Sequence, residues 1–279
     1  MASHASPRVA ECLRHAHALG MARVDAQTLL LFAMARPLHD RAWLLANDTE
    51  PLTEAQQNNW AQALQRRLQG EPVAYITGSK DFFGLTLQVD ARVLDPRPDT
   101  EILVEWALEL LTAHQTARVL DLGTGSGAVA LALQHQRPAT LVTAVDASAD
   151  ALAVASANAQ RLNLPVLCVL SHWMDAVPGP FDLIVSNPPY VAEGDPHLTA
   201  LTHEPLSALT SGADGLDDIR QIIVQAPSRL TAGGWLLLEH GWDQAAPVQA
   251  LLREAGFTQV QSRRDLGGIE RCTGAVMPK

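Results

Sequence analysis

Ser186-Asn187-Pro188-Pro189-Tyr190 follows the apolar run FDLIV and assembles the parts needed to alkylate a planar, weakly basic nitrogen. An amide nitrogen is a poor nucleophile because its lone pair is delocalised into the carbonyl, so a catalyst must orient that lone pair before displacement. Acceptors for its two N–H bonds do this. The Asn187 side-chain oxygen and the Pro188 main-chain carbonyl are a natural pair, and both stabilise positive charge as it accumulates on nitrogen. Pro188 and Pro189 have fixed φ and bias the residues before them towards extended backbone, so the acceptors stand in place before substrate arrives. Tyr190 offers a face on which the planar group can stack, a contact worth about 1–3 kcal/mol by analogy with base–aromatic stacking. Taken alone, N-P-P is also what a rigid turn after a strand looks like.

A second group of residues points to a nucleoside. DLGTGSG, from Asp121 to Gly127, follows one predicted strand and opens a predicted helix, the position where α/β folds bind ligands at the carboxyl ends of their strands. In the candidate loop Gly123, Thr124, Gly125, Ser126 and Gly127, the glycines let the backbone approach a ligand closely, although a structural turn needs glycine too. Asp146 ends the next apolar run, where a carboxylate can accept both hydroxyls of an unphosphorylated ribose. Its competing reading is an N-cap for the helix beginning near Ala149, a task Ser148 can also perform. The spacing is G-x-G-x-G rather than the G-x-G-x-x-G that accommodates a pyrophosphate, which favours S-adenosylmethionine over a dinucleotide. Trp173, just past the third predicted strand, is placed either to wall an adenine or to fill the core.

These residues need a sheet to hold them. After Ala117 the chain alternates apolar runs with helical stretches: RVLDLG, AVALALQ, LVTAVD, ALAVASANAQ, PVLCVL, FDLIVSNPPY and GGWLLLEHG. The alternation predicts an α/β domain, a mostly parallel sheet covered by helices, with the tail from Thr258 closing the sheet as a hairpin. Residues 1–71 read as a small helical domain. Ser6-Pro7 resembles an N-cap with Pro at the first helical position, Asp25 a cap for a second helix, and Thr53 with Gln56 a capping box that sets Trp60, Leu64 and Leu68 on one face. Residues 72–98 read as a β-hairpin connector, with Leu85, Leu87 and Val89 alternating against polar neighbours. Residues 99–279 form the third segment, opened by a helix from about Thr100 with Leu103, Trp106 and Leu110 on one face.

Composition narrows the function. No apolar run approaches the roughly 20 residues of a membrane-spanning helix. The opening MASHASPRVAE has no basic segment followed by an apolar core, so cytoplasmic residence is expected. Cys12, Cys168 and Cys272 are scattered without a C-x-x-C pair and read as buried apolar residues; no metal site is expected. The formal net charge of −10 weighs against a nucleic-acid partner, which normally meets a basic face. Nothing demands an oligomer, and a monomer is the starting expectation.

With these residues in place, the chain resembles the release-factor glutamine N(5)-methyltransferases, the family called PrmC or HemK, over nearly its whole length. VLDPRPDTEILVE (93–105), VLDLGTGSGAVALAL (119–133), AVDAS (144–148) and SNPPYV (186–191) are similar to that family's signature segments in the same order, and EPLSAL, DGLDDI, LLLEHGW and DLGGIERCT extend the likeness. The resemblance implies a class I S-adenosylmethionine-dependent methyltransferase fold, Rossmann-like, behind a helical substrate-recognition domain. It also implies a substrate: the glutamine of the Gly-Gly-Gln motif in bacterial class 1 peptide-chain release factors. By position it implies that Gly123 through Gly127, Asp146 and Trp173 line the cofactor site, that Asn187 meets both cofactor and substrate, and that Pro188, Pro189 and Tyr190 complete the amide site.

Two relatives share the centre. A sister family methylating a ribosomal-protein glutamine has N-P-P-Y, but PRPDTE (96–101) is similar to the release-factor branch. The adenine N(6) nucleic-acid methyltransferases use [ND]-P-P-[YF], and would need base flipping and a basic surface. From a different class, a catalytically silent nucleoside-binding protein could keep the fold, though not with reason to keep NPPY. Asp95 stands where the family more usually has an apolar residue.

Overall fold

Thr53 and Gln56 form the capping box: Gln56 N donates to Thr53 Oγ1 at 3.3 Å and Thr53 N to Gln56 Oε1 at 2.9 Å. In the computed structural model, which describes residues 6–112 and 116–279, this helix belongs to the first of two units, Met1–Gly78 and Ser79–Lys279. The reading of the first five residues lies outside the described ones.

The first unit holds α1 (Val9–Ala18), α2 (Arg23–Ala33), α3 (Arg41–Ala46), α4 (Glu54–Leu68) and α5 (Val73–Thr77). Val9, Leu29, Leu30, Leu44 and Trp60 form its core, whereas Leu68, expected on the same face, is half exposed. Two local expectations are corrected. Ser6-Pro7 does not cap α1, because tertiary pairing takes over that end: Leu52 N donates to Pro7 O at 2.9 Å, and Val9 N and Ala10 N donate to Glu50 O and Asp48 O. Asp25 lies inside the first turn of α2 rather than at its cap, and its carboxylate instead meets Arg67 Nε at 2.9 Å.

The second unit begins with β1 (Ser79–Phe82) and β2 (Leu85–Gln88), an antiparallel hairpin. Its two-residue turn has φ of +47° at Phe83 and +79° at Gly84, the hand that matches strand twist. The expected connector over 72–98 is thus divided, α5 lying in the first unit and the hairpin in the second. A 3-10 turn, Pro98–Thr100, leads into α6 (Glu101–Leu110), whose Leu103 and Trp106 are fully buried. There follow β3 (Arg118–Leu122), α7 (Ala128–Gln136), β4 (Leu141–Asp146), α8 (Ala149–Leu162), β5 (Leu167–Leu170), β6 (Phe181–Ser186), α9 (Asp217–Gln225), β7 (Leu230–Glu239), α10 (Ala245–Glu254), β8 (Thr258–Arg264) and β9 (Glu270–Val276).

The strand order is β5-β4-β3-β6-β7-β9-β8, parallel from β5 through β7, with β9 antiparallel to both β7 and β8. The tail therefore closes the sheet as a hairpin, as its sequence predicts. Leu120, Leu122, Ile184, Leu236 and Leu238 are wholly buried in the sheet core. Cys12 and Cys272 are buried, but Cys168, on edge strand β5, is only partly so, because no strand lies beyond it. Among the described residues no helix is long and apolar enough to cross a membrane.

From β3 the chain runs outward through β4 to β5 and then crosses back to β6 on the other side of β3, so the strand order reverses there. Such a reversal opens a crevice at the carboxyl ends of the strands. The loop after β3 carries the glycine run, Asp146 ends β4 and NPPY follows β6, so the topology brings these groups to one edge of the sheet.

Candidate active site

Three glycines shape the loop after β3, and each does something different. Gly123, Gly125 and Gly127 all have positive φ, at +68°, +55° and +84°. A Cβ on Gly127 would press on Leu131 at 3.0 Å and Ala155 at 3.3 Å, so this glycine seats α7 against α8. A Cβ on Gly123 would approach Trp173 at 3.5 Å, whereas one on Gly125 would meet nothing within 4 Å. Gly125 thus faces open space. Asn158, fully buried on α8, props this loop by donating to Ser126 O at 3.0 Å and Gln88 O at 2.9 Å while accepting from Gln88 N at 2.7 Å.

Asp146 ends β4 beside that loop. Its Oδ2 accepts from Gly125 N at 2.9 Å and its Oδ1 from Ser148 N at 2.9 Å. It does not cap α8; Ser148 does, accepting from Ala151 N at 3.1 Å. Asp121, under the loop, is buried and accepts from Thr124 Oγ1 at 2.6 Å and Ala130 N at 3.2 Å. Burial pushes its carboxyl up to about 7, against the pull of those two donors.

A cavity of about 410 Å³ opens here, lined by Gly123, Gly125, Asp146, Trp173, Asn187 and Pro189 among others. A smaller one shares Gly123, Gly125 and Asn187 and adds Thr124, Ser126 and Asp121. Trp173 is largely buried, yet its Nε1 finds no hydrogen-bond partner among the described residues. It belongs to the core and also lines the cavity. Gly127, Pro188 and Tyr190 line neither cavity.

NPPY runs off the end of β6 without helical or strand structure. Asn187 Nδ2 donates to Thr100 Oγ1 at 3.0 Å. Tyr190 is held at both ends: its amide donates to Leu209 O at 3.2 Å, its carbonyl accepts from Gln244 Nε2 at 3.0 Å, and its hydroxyl donates to Glu239 Oε1 at 3.3 Å. Burial beside the Glu239 charge pushes the Tyr190 phenol well above its ordinary value, so it stays a donor. Burial likewise raises the Glu239 carboxyl to about 7, while hydrogen bonds from Thr100 and Tyr190 oppose the rise. Glu239 Oε2 has no hydrogen-bond partner among the described residues.

Thr100, Glu239 and Asn158 hold the site together, and sequence reasoning assigned none of them a role there. Thr100 lies inside PRPDTE and Glu239 inside LLLEHGW, so the segments were visible but not their tasks. Asp95, the departure from family pattern, meets Lys80 Nζ at 3.0 Å and Arg97 Nη1 at 4.0 Å. Arg97 also pairs with buried Glu204 at 2.5 Å. An acid at 95 thus helps fasten the stretch that delivers Thr100.

Comparison with known proteins identifies the family. The family model described as the PrmC N-terminal domain matches residues 7–78, and that of the methyltransferase small domain matches residues 99–214. A release factor glutamine methyltransferase of Bordetella pertussis is 49% identical over 262 residues, covering 92% of this chain and 96% of its own. One from Pseudomonas aeruginosa is 50% identical over 256 residues, covering 90% and 91%. Among solved structures, a methyltransferase from Pyrococcus furiosus is 18% identical with a TM-score of 0.56, over 78% of this chain and all of its own; that likeness bears on the fold alone.

Proposed function

Since the chain belongs to the release factor glutamine methyltransferases, we propose that it transfers a methyl group from S-adenosylmethionine to the side-chain amide nitrogen of the glutamine in the Gly-Gly-Gln motif of class 1 release factors. The observation that carries the site assignment is Asn187: it lines both cavities, and its Nδ2 is already engaged by Thr100. Its Oδ1 is left to accept from an incoming amide.

The residues present suit the cofactor. Open space before Gly125, the Trp173 side chain on the cavity wall and the Asp146 carboxylate offer room, an aromatic surface and a hydroxyl acceptor. S-adenosylmethionine supplies an electrophilic methyl group on a sulfonium, which leaves as a neutral thioether. Asn187 Oδ1 and the Pro188 carbonyl take the two amide N–H groups and turn the nitrogen lone pair towards the methyl carbon. As the N–C bond forms and the S–C bond breaks, both acceptors stabilise the positive charge on nitrogen, and a proton then leaves to water. Tyr190 backs the planar amide. The five-helix unit recognises the protein substrate. The acidic net charge supports a protein rather than a nucleic-acid partner, and we read the working form as a monomer.

Asn187→Ala tests this assignment. It should slow single-turnover methyl transfer at least about 100-fold, the scale of losing a preorganised polar group, with cofactor affinity little changed. A wild-type single-turnover rate would remove Asn187 from the chemistry.

A further inference from the structure

We propose that Gln244 is a positioning residue for the reaction, locking the main chain of Tyr190 and, through it, the Pro188 carbonyl that receives the substrate amide. The inference rests on the assignment of NPPY made above. Gln244 stands at the N-cap of α10, yet its side chain makes no cap hydrogen bond to the helix, and glutamine is not among the residues that favour that place. The residue is buried, and its side chain turns back onto the loop after β7.

Both ends of its amide go to main-chain groups. Nε2 donates to Tyr190 O at 3.0 Å and to Asp214 O at 3.2 Å, and Oε1 accepts from Gly241 N at 2.8 Å. A main-chain carbonyl only accepts and a main-chain N–H only donates, so these partners fix which end of the amide is which, whatever the charge of any neighbour. Three segments meet there: the loop after β7, the exit from NPPY and the turn before α9. The fit leaves no room for a Cβ on Gly215 between the Tyr190 carbonyl and Gln244 Nε2. The Tyr190–Val191 peptide is thus pinned on both sides, its N–H by Leu209 O at 2.8 Å and its carbonyl by Gln244. Pro188 and Pro189 carry that grip towards the reacting groups. Their φ is fixed, only ψ is free at either residue, and neither has an N–H with which to anchor itself. Where Tyr190 is held therefore governs where the Pro188 carbonyl stands.

The test is methyl transfer from labelled S-adenosylmethionine to a purified class 1 release factor, measured for Gln244→Met, Gln244→Glu and Asn187→Ala, with cofactor KM and Tm for each. Gln244→Met keeps the length of the side chain and loses both donors. It should lower kcat about tenfold or more, since a misplacement of about 1 Å can cost as much as about 100-fold. Gln244 lines neither cavity, so KM for the cofactor should stay near wild type. In Gln244→Glu burial raises the carboxyl pKa, and the protonated form regains one donor. The ratio of its kcat to wild type should therefore rise as pH falls from about 9 to about 6, while that of Gln244→Met stays level. Wild-type kcat per folded molecule in both variants, beside an inactive Asn187→Ala, overturns the positioning role alone. A fall in kcat matched by a rise in cofactor KM, with no recovery of Gln244→Glu at low pH, makes Gln244 a packing residue and overturns it too. Either Gln244 variant decides alone if the other does not fold. Full activity in Asn187→Ala would instead bring down the underlying assignment.

Discussion

Asp146 Oδ2 accepts from the Gly125 amide at 2.9 Å, joining the end of β4 to the loop after β3 in the wall of the larger cavity. The carboxylate is thus held in place before any ligand arrives. Asp146→Ala should weaken S-adenosylmethionine binding by about 1.5–3 kcal/mol, the range for a hydrogen bond to a charged group. Isothermal calorimetry checks this, and wild-type affinity would take Asp146 out of the site.

Asn158 serves three backbone groups at once, on Gln88 and Ser126. Asn158→Ala takes this partner from the buried Ser126 carbonyl and the part-buried Gln88 groups and should cost about 2–4 kcal/mol of stability. Because Ser126 belongs to the glycine loop, cofactor affinity should fall as well. Thermal unfolding and calorimetry together read both effects; a loss of stability with unchanged affinity would mean the loop holds its shape unaided.

Gly215 has φ of +74°, and a Cβ there would lie 2.2 Å from the Tyr190 carbonyl oxygen and 2.8 Å from Gln244 Nε2. Backbone must move to admit a methyl group, and what moves is the end of NPPY. We expect Gly215→Ala to cost about 1–3 kcal/mol and to lower kcat more than it raises cofactor KM. Steady-state kinetics with each substrate varied in turn distinguishes this from general destabilisation, which would leave kcat per folded molecule unchanged.

Asp121 has a folded-state pKa raised by burial to about 7, above its ordinary value of 3.8. The folded protein therefore binds more protons than the unfolded chain between those two values, and this group's contribution to stability declines as pH rises from about 4 to about 7. Asp121→Asn cannot ionise. Its Tm relative to wild type should improve from pH 5 to about pH 7 and then level off towards pH 8, as followed by calorimetric scans. A constant difference across that range would show that Asp121 titrates normally.

How far the sequence reaches can be seen residue by residue. The Thr53-Gln56 box, the Ser148 cap, the parallel strands and the closing hairpin all rest on local pattern, and local pattern is what propensity and periodicity report. NPPY, the glycine loop and Asp146 were legible for a related reason: each sits at the end of a strand whose place in a β-α alternation is itself predictable. Ser6-Pro7 misled because a distant segment, Asp48 to Leu52, satisfies the start of α1. Glu239 stayed silent because a lone acid after LLL looks solvent-facing until Tyr190, remote in sequence, is found to meet it. Buried polar partnerships across strands have no period, so only the fold reveals them.

The central claim is that the nitrogen presented to NPPY is a release-factor glutamine. The purified protein is incubated with methyl-labelled S-adenosylmethionine and, separately, a class 1 release factor, its Gly-Gly-Gln→Gly-Gly-Ala version and unmethylated DNA, and the label is located by mass spectrometry. We predict label on that glutamine alone. Label on DNA adenine, or on the alanine version of the factor as strongly as on the native one, would contradict it.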